Sequence, residues 1–264
     1  MSRFTCVAAL LCLACSAPAF AQSEPPEKEP VRVRVGLGAQ LAPSYPGAAD
    51  HSVKPYWDFA IARRSKEFDY EAPDENFGFP VLRAAGIEFG PSINVESARR
   101  RKDVGAPIDE VGTTVEVGAF AQYWLAPALR LRAEARQGIG GHRSLVGAVG
   151  ADYVARDGDK WLVSIGPRLS LSDRGYQTAY FGVNPREAAV TGLPVYRPKA
   201  GVHAVGAVAG MHYALGNRWG VMAFAKYDRL VGDAGRSPIV RAYGKRDQLS
   251  GGLGLTYVFG KPAR

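Results

Sequence analysis

Beyond residue 15 the chain carries no cysteine, since Cys6, Cys12 and Cys15 are the only three it has. The rest of the chain therefore offers neither a disulfide scaffold nor a thiolate metal site. Long apolar runs are missing too. The run from Phe4 to Cys15 is too short to cross a bilayer as a helix, and nothing downstream approaches about eighteen continuous apolar residues. The four histidines, His51, His142, His203 and His212, form no His-Glu-x-x-His, and His203 and His212 differ in strand parity. No metal centre is expected from them. A Gly-x-Ser-x-Gly elbow and a phosphate loop are absent. Gly36-Leu37-Gly38 opens like a nucleotide-binding fingerprint, but it sits inside a strand pattern with no helix after it. There it more simply relieves crowding between backbones. No cofactor is expected.

What is present begins with an export signal. Arg3, the apolar run and Ala19-Phe20-Ala21 read as a secretory signal over residues 1–21. Residues 22–30 form a flexible Pro- and Glu-rich periplasmic lead, 31–259 the folded unit and 260–264 a short tail. Lipidation at Cys15 is disfavoured because Leu13 stands one place too close to it. Loss of the signal removes one cation, Arg3, and leaves 32 Lys and Arg against 25 Asp and Glu, formally +7. The arginines alternate with apolar residues instead of forming an aromatic-studded basic groove, so nucleic-acid binding is not expected.

Alternation of period two dominates the chain and predicts strands. Val31, Val33, Val35, Leu37, Ala39 and Leu41 oppose Arg32, Arg34, Gly36, Gly38 and Gln40. The far end repeats the stripe with Leu249, Leu253, Leu255, Tyr257 and Phe259. Between them, alternating runs cover Val53 to Ile61, Ile87 to Asn94, Val111 to Tyr123, Leu129 to Arg136, Leu145 to Tyr153, Trp161 to Leu171 and Trp219 to Asp228. Shorter strands are expected at Phe77 to Ala84, Thr178 to Val183 and Pro238 to Tyr243. The outward face of Gly201 to Tyr213 is not assignable, because Ala, Gly and Val fill both faces. Pro55 lacks a ladder donor and is expected near a strand end. Thirty-one glycines and sixteen Tyr and Trp suit such a fold. The fold class expected is an all-β, antiparallel transmembrane barrel of twelve strands, with ten as the alternative, closed by the matched first and last strands.

In a barrel the charged parity faces the lumen. Arg130, Arg132 and Arg136 are then placed to pair with Glu134 and Glu116 across strands. Tyr123, Trp124, Tyr153 and Trp161 near strand ends suit the membrane interfaces. Arg99-Arg100-Arg101-Lys102 reads as a solvated loop tip, with contact to lipopolysaccharide or another polyanion as the alternative reading. Two serine pairs, His142 with Ser144 and Ser237 with Asp233, are the only candidates for a barrel hydrolase. A porin-like channel is the stronger competing reading.

The segment Gly36-Leu37-Gly38-Ala39-Gln40-Leu41-Ala42-Pro43-Ser44-Tyr45-Pro46-Gly47 resembles the opening motif of the MipA/OmpV family of MltA-interacting outer-membrane proteins. Tyr180-Phe181-Gly182-Val183, Thr191 to Tyr196, Arg229 to Ala234 with Gly232-Asp233, Ser237-Pro238-Ile239-Val240 and Gly254 to Phe259 follow in order. The resemblance implies a Gram-negative outer-membrane barrel without catalytic residues. It further implies a scaffold or adaptor between a lytic murein transglycosylase and a murein synthase, with adhesion as another family role. Lipid, lipopolysaccharide and the barrel-assembly machinery are the other partners implied. One departure stands out: Phe259, expected to serve as the terminal recognition aromatic, is followed by Gly260-Lys261-Pro262-Ala263-Arg264.

Overall fold

In the computed structural model, residues 29–260 are described. The expected signal, most of the lead and the tail after Gly260 lie outside them. The described chain forms one curled antiparallel sheet. Its long strands are β1 (Val31–Pro43), β2 (His51–Arg63), β5 (Ile87–Glu96), β6 (Thr114–Ala126), β7 (Leu129–Gly140), β8 (Leu145–Asp157), β9 (Trp161–Ser172), β10 (Gly201–Ala214), β11 (Trp219–Leu230) and β12 (Asp247–Phe259). Two short pieces, β3 (Phe77–Gly78) and β4 (Leu82–Ala84), lie end to end against β5.

Side-chain alternation divides the sheet into two surfaces. In the ten long strands every large exposed apolar residue is odd-numbered, from Val31 and Leu37 through Phe89, Leu131, Val149 and Ile165 to Leu253 and Phe259. Even-numbered positions turn inward and carry the buried arginines and acids. The same parity settles β10, where Val205, Met211 and Tyr213 face out and Val208 is buried.

The first and last long strands do pair, with Val33 opposite Phe259 and Leu41 opposite Gly251. That pairing lies inside the sheet and does not complete a ring. The strand order runs β2-β1-β12-β11 and on to β6-β5-β3, leaving β2 at one edge and β3 with β4 at the other. Trp57 of β2 meets Phe77 of β3 across this seam at 5.8 Å between rings, but no ladder joins the two edges. Because every neighbouring pair is antiparallel, these two edges run in the same direction. Parallel neighbours need a crossover, and here residues 64–76 supply it by returning through the interior. That segment is a strap with Phe68, Tyr70 and Ala72 buried.

Pro55 is not at a strand end as expected; it pairs with Ala39 well inside β2. It is tolerated because β2 is an edge strand. Two expected strands are helices instead. Helix α1 (Arg101–Val104) precedes them, and α2 (Arg174–Phe181) occupies the place of the Thr178 to Val183 strand. Asp173 caps it by accepting from the Tyr176 N–H at 2.9 Å. After α3 (Pro185–Thr191) and α4 (Gly232–Arg236), α5 (Pro238–Tyr243) replaces the expected Pro238 strand. Ser237 as N-cap and Pro238 at the first helical position are helix-start chemistry. Trp124 points inward against Tyr70, with ring centroids 6.2 Å apart, and so does not join the outer aromatics.

The two ends of the sheet differ. At one end the hairpins β4–β5, β6–β7, β8–β9 and β10–β11 close through short turns, and both described termini lie there. At the other end the β7–β8 connection is a four-residue turn, the remaining connections are longer, and all five helices lie in those. They fold over the opening as a cap.

Candidate functional site

Two regions bring chemistry together: the interior beneath the sheet and the cap above it. In the interior, Glu116 and Phe120 of β6 and Arg130, Arg132, Glu134 and Arg136 of β7 occupy inward positions. Arg136 Nε donates to Glu116 Oε2 at 2.9 Å, and its Nη1 pairs with Glu134. Arg132 Nη2 lies 3.7 Å from Glu134 Oε2, and its guanidinium stacks on Phe120 at 3.6 Å from the ring centre. Four of the five charged residues expected to face the interior, Glu116, Arg132, Glu134 and Arg136, are thus joined to one another by ion pairs, and Arg130 joins these pairs only through Glu75.

The network extends well beyond them. Arg132 also reaches Glu75, which pairs with the fully buried Arg130. Arg130 Nη2 donates to Asp152 Oδ2 at 2.7 Å, and Arg168 Nη2 donates to Asp152 Oδ1 at 2.7 Å and to Asp74 Oδ1 at 3.0 Å. Lys226 Nζ lies 3.2 Å from both Asp74 and Asp228. Acid and base thus alternate without a break from Glu116 to Asp228. Two of the acids in this series, Asp74 and Glu75, belong to the strap, and they join β7 to β9 and β11. Neither was assigned a role from sequence. Their partners stand 55 to 152 residues away, and no local pattern marks such pairs.

The strap is also anchored where it enters. Phe68 lies between Arg32 and Arg34, whose guanidinium carbons are 4.6 and 4.9 Å from its ring centre. Its N–H donates to Asp159 Oδ1 at 3.0 Å, and its carbonyl accepts from Arg156 Nη1 at 3.0 Å. Burying charge is costly unless every member is paired. Here aromatic stacking and short ion pairs meet that condition for most of the cations.

The cap gathers most of the residues that carried the family resemblance. Tyr45, Tyr180, Phe181, Val183, Ala234, Ile239 and Val240 form its apolar core, each 3 % exposed or less. Ser237 Oγ donates to the Phe181 carbonyl at 2.8 Å. Gly47 adopts φ +92°, which excludes most side chains, and its N–H donates to Gln248 Oε1 at 3.0 Å. Gly232 likewise needs φ +56°. Pro43 closes β1, Pro46 stands in the turn that follows, and Pro238 opens α5. Gly182 ends α2 by donating its N–H to the Thr178 carbonyl at 3.1 Å. Tyr196 donates its hydroxyl to the Asp233 carbonyl at 2.9 Å, while Asp233 Oδ2 accepts from the Lys199 N–H at 2.7 Å. That N–H, and then Arg236, holds the Asp233 carboxyl below its ordinary value. Gly36 and Gly38 lie elsewhere, in β1. At Gly38 an added Cβ would sit 2.1 Å from the Leu253 carbonyl oxygen of β12.

Arg99 departs from the solvated tip expected of it. It is 2 % exposed, forms a bridge with Val111 and donates to the carbonyls of Tyr180 at 2.9 Å and Asp109 at 2.7 Å. Carbonyl oxygens aimed at one guanidinium replace the water it gives up. Arg100, Arg101 and Lys102 are exposed.

Neither serine pair is arranged for nucleophilic attack. Ser144 Oγ donates to the His142 carbonyl at 2.6 Å, and the His142 ring instead meets Glu116 at 3.0 Å. Ser237 is engaged by Phe181 as described, not by Asp233. Ser172 Oγ does meet His203 Nδ1 at 3.0 Å, but both residues are buried and no carboxylate completes the pair among the described residues. No cluster of three metal-ligating side chains is found among those residues either.

Comparison with known proteins adds the following. The structure is similar to an outer membrane channel from Pseudomonas putida F1, at 10 % identity and a TM-score of 0.41 over 89 % of this chain and 99 % of that one. It is also similar to the translocator domain of the autotransporter NalP from Neisseria meningitidis, at 16 % identity and a TM-score of 0.36 over 87 % and 88 %. No curated protein matches the chain. The model of a family described as MltA-interacting protein MipA matches residues 35–259. With its opening motif, cap motifs and closing strand all inside that match, the chain belongs to the MipA family.

Proposed function

We propose that this protein is an outer-membrane barrel, shut along its axis, that serves as a scaffold for murein-processing enzymes. The odd-numbered apolar belt supports its placement in lipid, because so much exposed hydrocarbon on every long strand suits a bilayer and not water. Most of the short turns and both ends of the described chain share one end of the sheet, which suits the periplasmic side. Murein enzymes would meet the protein there.

The observation that carries the scaffold reading over the channel reading is the strap. Asp74 and Glu75 tie it to three strands across the interior, and the apolar cap closes the far end. A solute path would need both to yield. The family's description supports an interaction with a lytic transglycosylase of the MltA kind.

Affinity capture from crosslinked envelopes tests this. Enrichment of a lytic murein transglycosylase, with or without a murein synthase, is the expected result. Capture without any murein enzyme, together with steady conductance of the purified protein in a planar bilayer, would replace the scaffold with a channel.

A further inference from the structure

The seam between β2 and β3 is more than a missing ladder. A cavity of about 1210 Å³ reaches it from the interior and is lined by every residue of β2 from Lys54 to Ile61. A space confined to the inside would touch alternate residues of a strand. This one touches both sets, so it passes round the free edge of β2 and opens through the wall.

The opening is not an empty strand position. Arg64 N–H donates to the Pro30 carbonyl, and alternation from that bond turns the odd-numbered N–H and C=O groups of β2 toward the seam. Pro55 belongs to that set and has no N–H to give. Across the seam, Pro80 interrupts β3 and β4. Proline on both edges works against an added strand.

The polarity of the cavity indicates what fits. Its outer rim is hydrocarbon and aromatic: Trp57, Phe59, Phe77 and Phe79 are each 43 % exposed or more. Its lining carries seven carboxylates against four cations. Three of the cations are already paired, Arg34 with Asp58, Arg132 with Glu75 and Lys226 with Asp74. Glu71 lines the cavity and makes no hydrogen bond or ion pair among the described residues. A phosphate or carboxylate head group would meet this excess of acid, whereas a cationic head finds Glu71 unpaired.

We propose that the seam is a lateral binding site for a cationic amphiphile, with its alkyl chain laid along the outer face of the Trp57–Phe77 contact, flanked by Phe59 and Phe79, and its ammonium head on Glu71. The site rests on the membrane reading given above, because the chain must enter from lipid. It does not depend on the scaffold role.

The test uses the full chain reconstituted in phosphatidylcholine bilayers. Dodecylamine and dodecanoic acid, each carrying a photoreactive diazirine on the chain, are crosslinked, and adducts are mapped by peptide mass spectrometry. Amine adducts should be enriched at Trp57–Ile61 and Phe77–Phe79 over Leu37 and Leu253 of the general belt. An ammonium–carboxylate contact in such a site corresponds to about tenfold in occupancy, so Glu71→Gln should remove about that much of the excess. Dodecanoic acid should show no excess on the unaltered chain and should gain one in Glu71→Lys. Heat-modifiable mobility reports whether each variant has folded, and the amine-against-acid comparison needs no variant. Even labelling around the belt, or a seam excess shared by both probes or insensitive to Glu71→Gln, would overturn the site. Absence of adducts from Leu37 and Leu253 would instead overturn the membrane reading beneath it.

Discussion

Arg130 shows what one side chain holds together. Its guanidinium is fully buried, meets Glu75 and Asp152, and lies 4.4 Å over the Tyr70 ring. Replacing it with Met would leave two buried acids without their shared cation, and breaking such a pair costs about 3–5 kcal/mol. Urea unfolding of the reconstituted protein should therefore show Arg130→Met destabilised by that amount, with Arg83→Met, on the exposed Arg83–Glu88 pair, losing about 1 kcal/mol or less. Equal losses would count against a connected network. At this scale the inward arginines were legible, because alternation alone puts Arg130, Arg132 and Arg136 on one face. Arg99 was not. Its neighbours in sequence are cations, and the carbonyl of Tyr180 that receives it lies 81 residues away.

Among the elements, the strands followed their pattern and the cap helices did not. The residues at Thr178 to Val183 and Pro238 to Tyr243 are short and apolar enough to fit either period. The Asp173, Ser237 and Pro238 start signals, which decide for helix, are visible in sequence once they are sought. The strap had no such signal. Residues 64–76 look like any charged connection until Asp74 and Glu75 are seen against Arg168, Lys226 and Arg130. In a chain starting at Gln22, which is free of cysteine, Ala72→Cys places one thiol on the buried strap. Maleimide should label it slowly. Adding Asp74→Ala and Glu75→Ala should speed labelling by about tenfold for each 1.4 kcal/mol of restraint removed. Unchanged labelling would mean that packing around Phe68 and Tyr70, and not the ion pairs, holds the strap.

For the molecule as a whole, the cap and the belt respond to different conditions. The belt is apolar and indifferent to pH. The cap depends in part on Asp233, whose carboxyl the Lys199 N–H and Arg236 hold below its ordinary value. A group depressed in this way stabilises the folded state fully above its unfolded pKa of about 4 and loses that contribution as pH falls through the lower folded value. Protease cleavage between residues 182 and 200 should therefore rise below about pH 4, with the strands still protected, and Asp233→Asn should cleave readily at pH 7. Cleavage independent of pH would remove Asp233 from the cap's support. The position of the seam belongs to this scale as well. Alternation sets which way a residue faces, but where the sheet stops depends on a strap that turns β3 parallel to β2.

The strap is covalently joined to β2 at one end and to β3 at the other, so it can shift within the interior but cannot depart. Tethering of this kind keeps partners at effective concentrations in the millimolar range or above. Each ion pair that Asp74 and Glu75 make can then open often while the whole remains closed almost all the time. Salt, which screens exposed pairs strongly, meets an occupant that rebinds faster than it can wander. The interior therefore answers to changes in its charges far more than to changes in the medium.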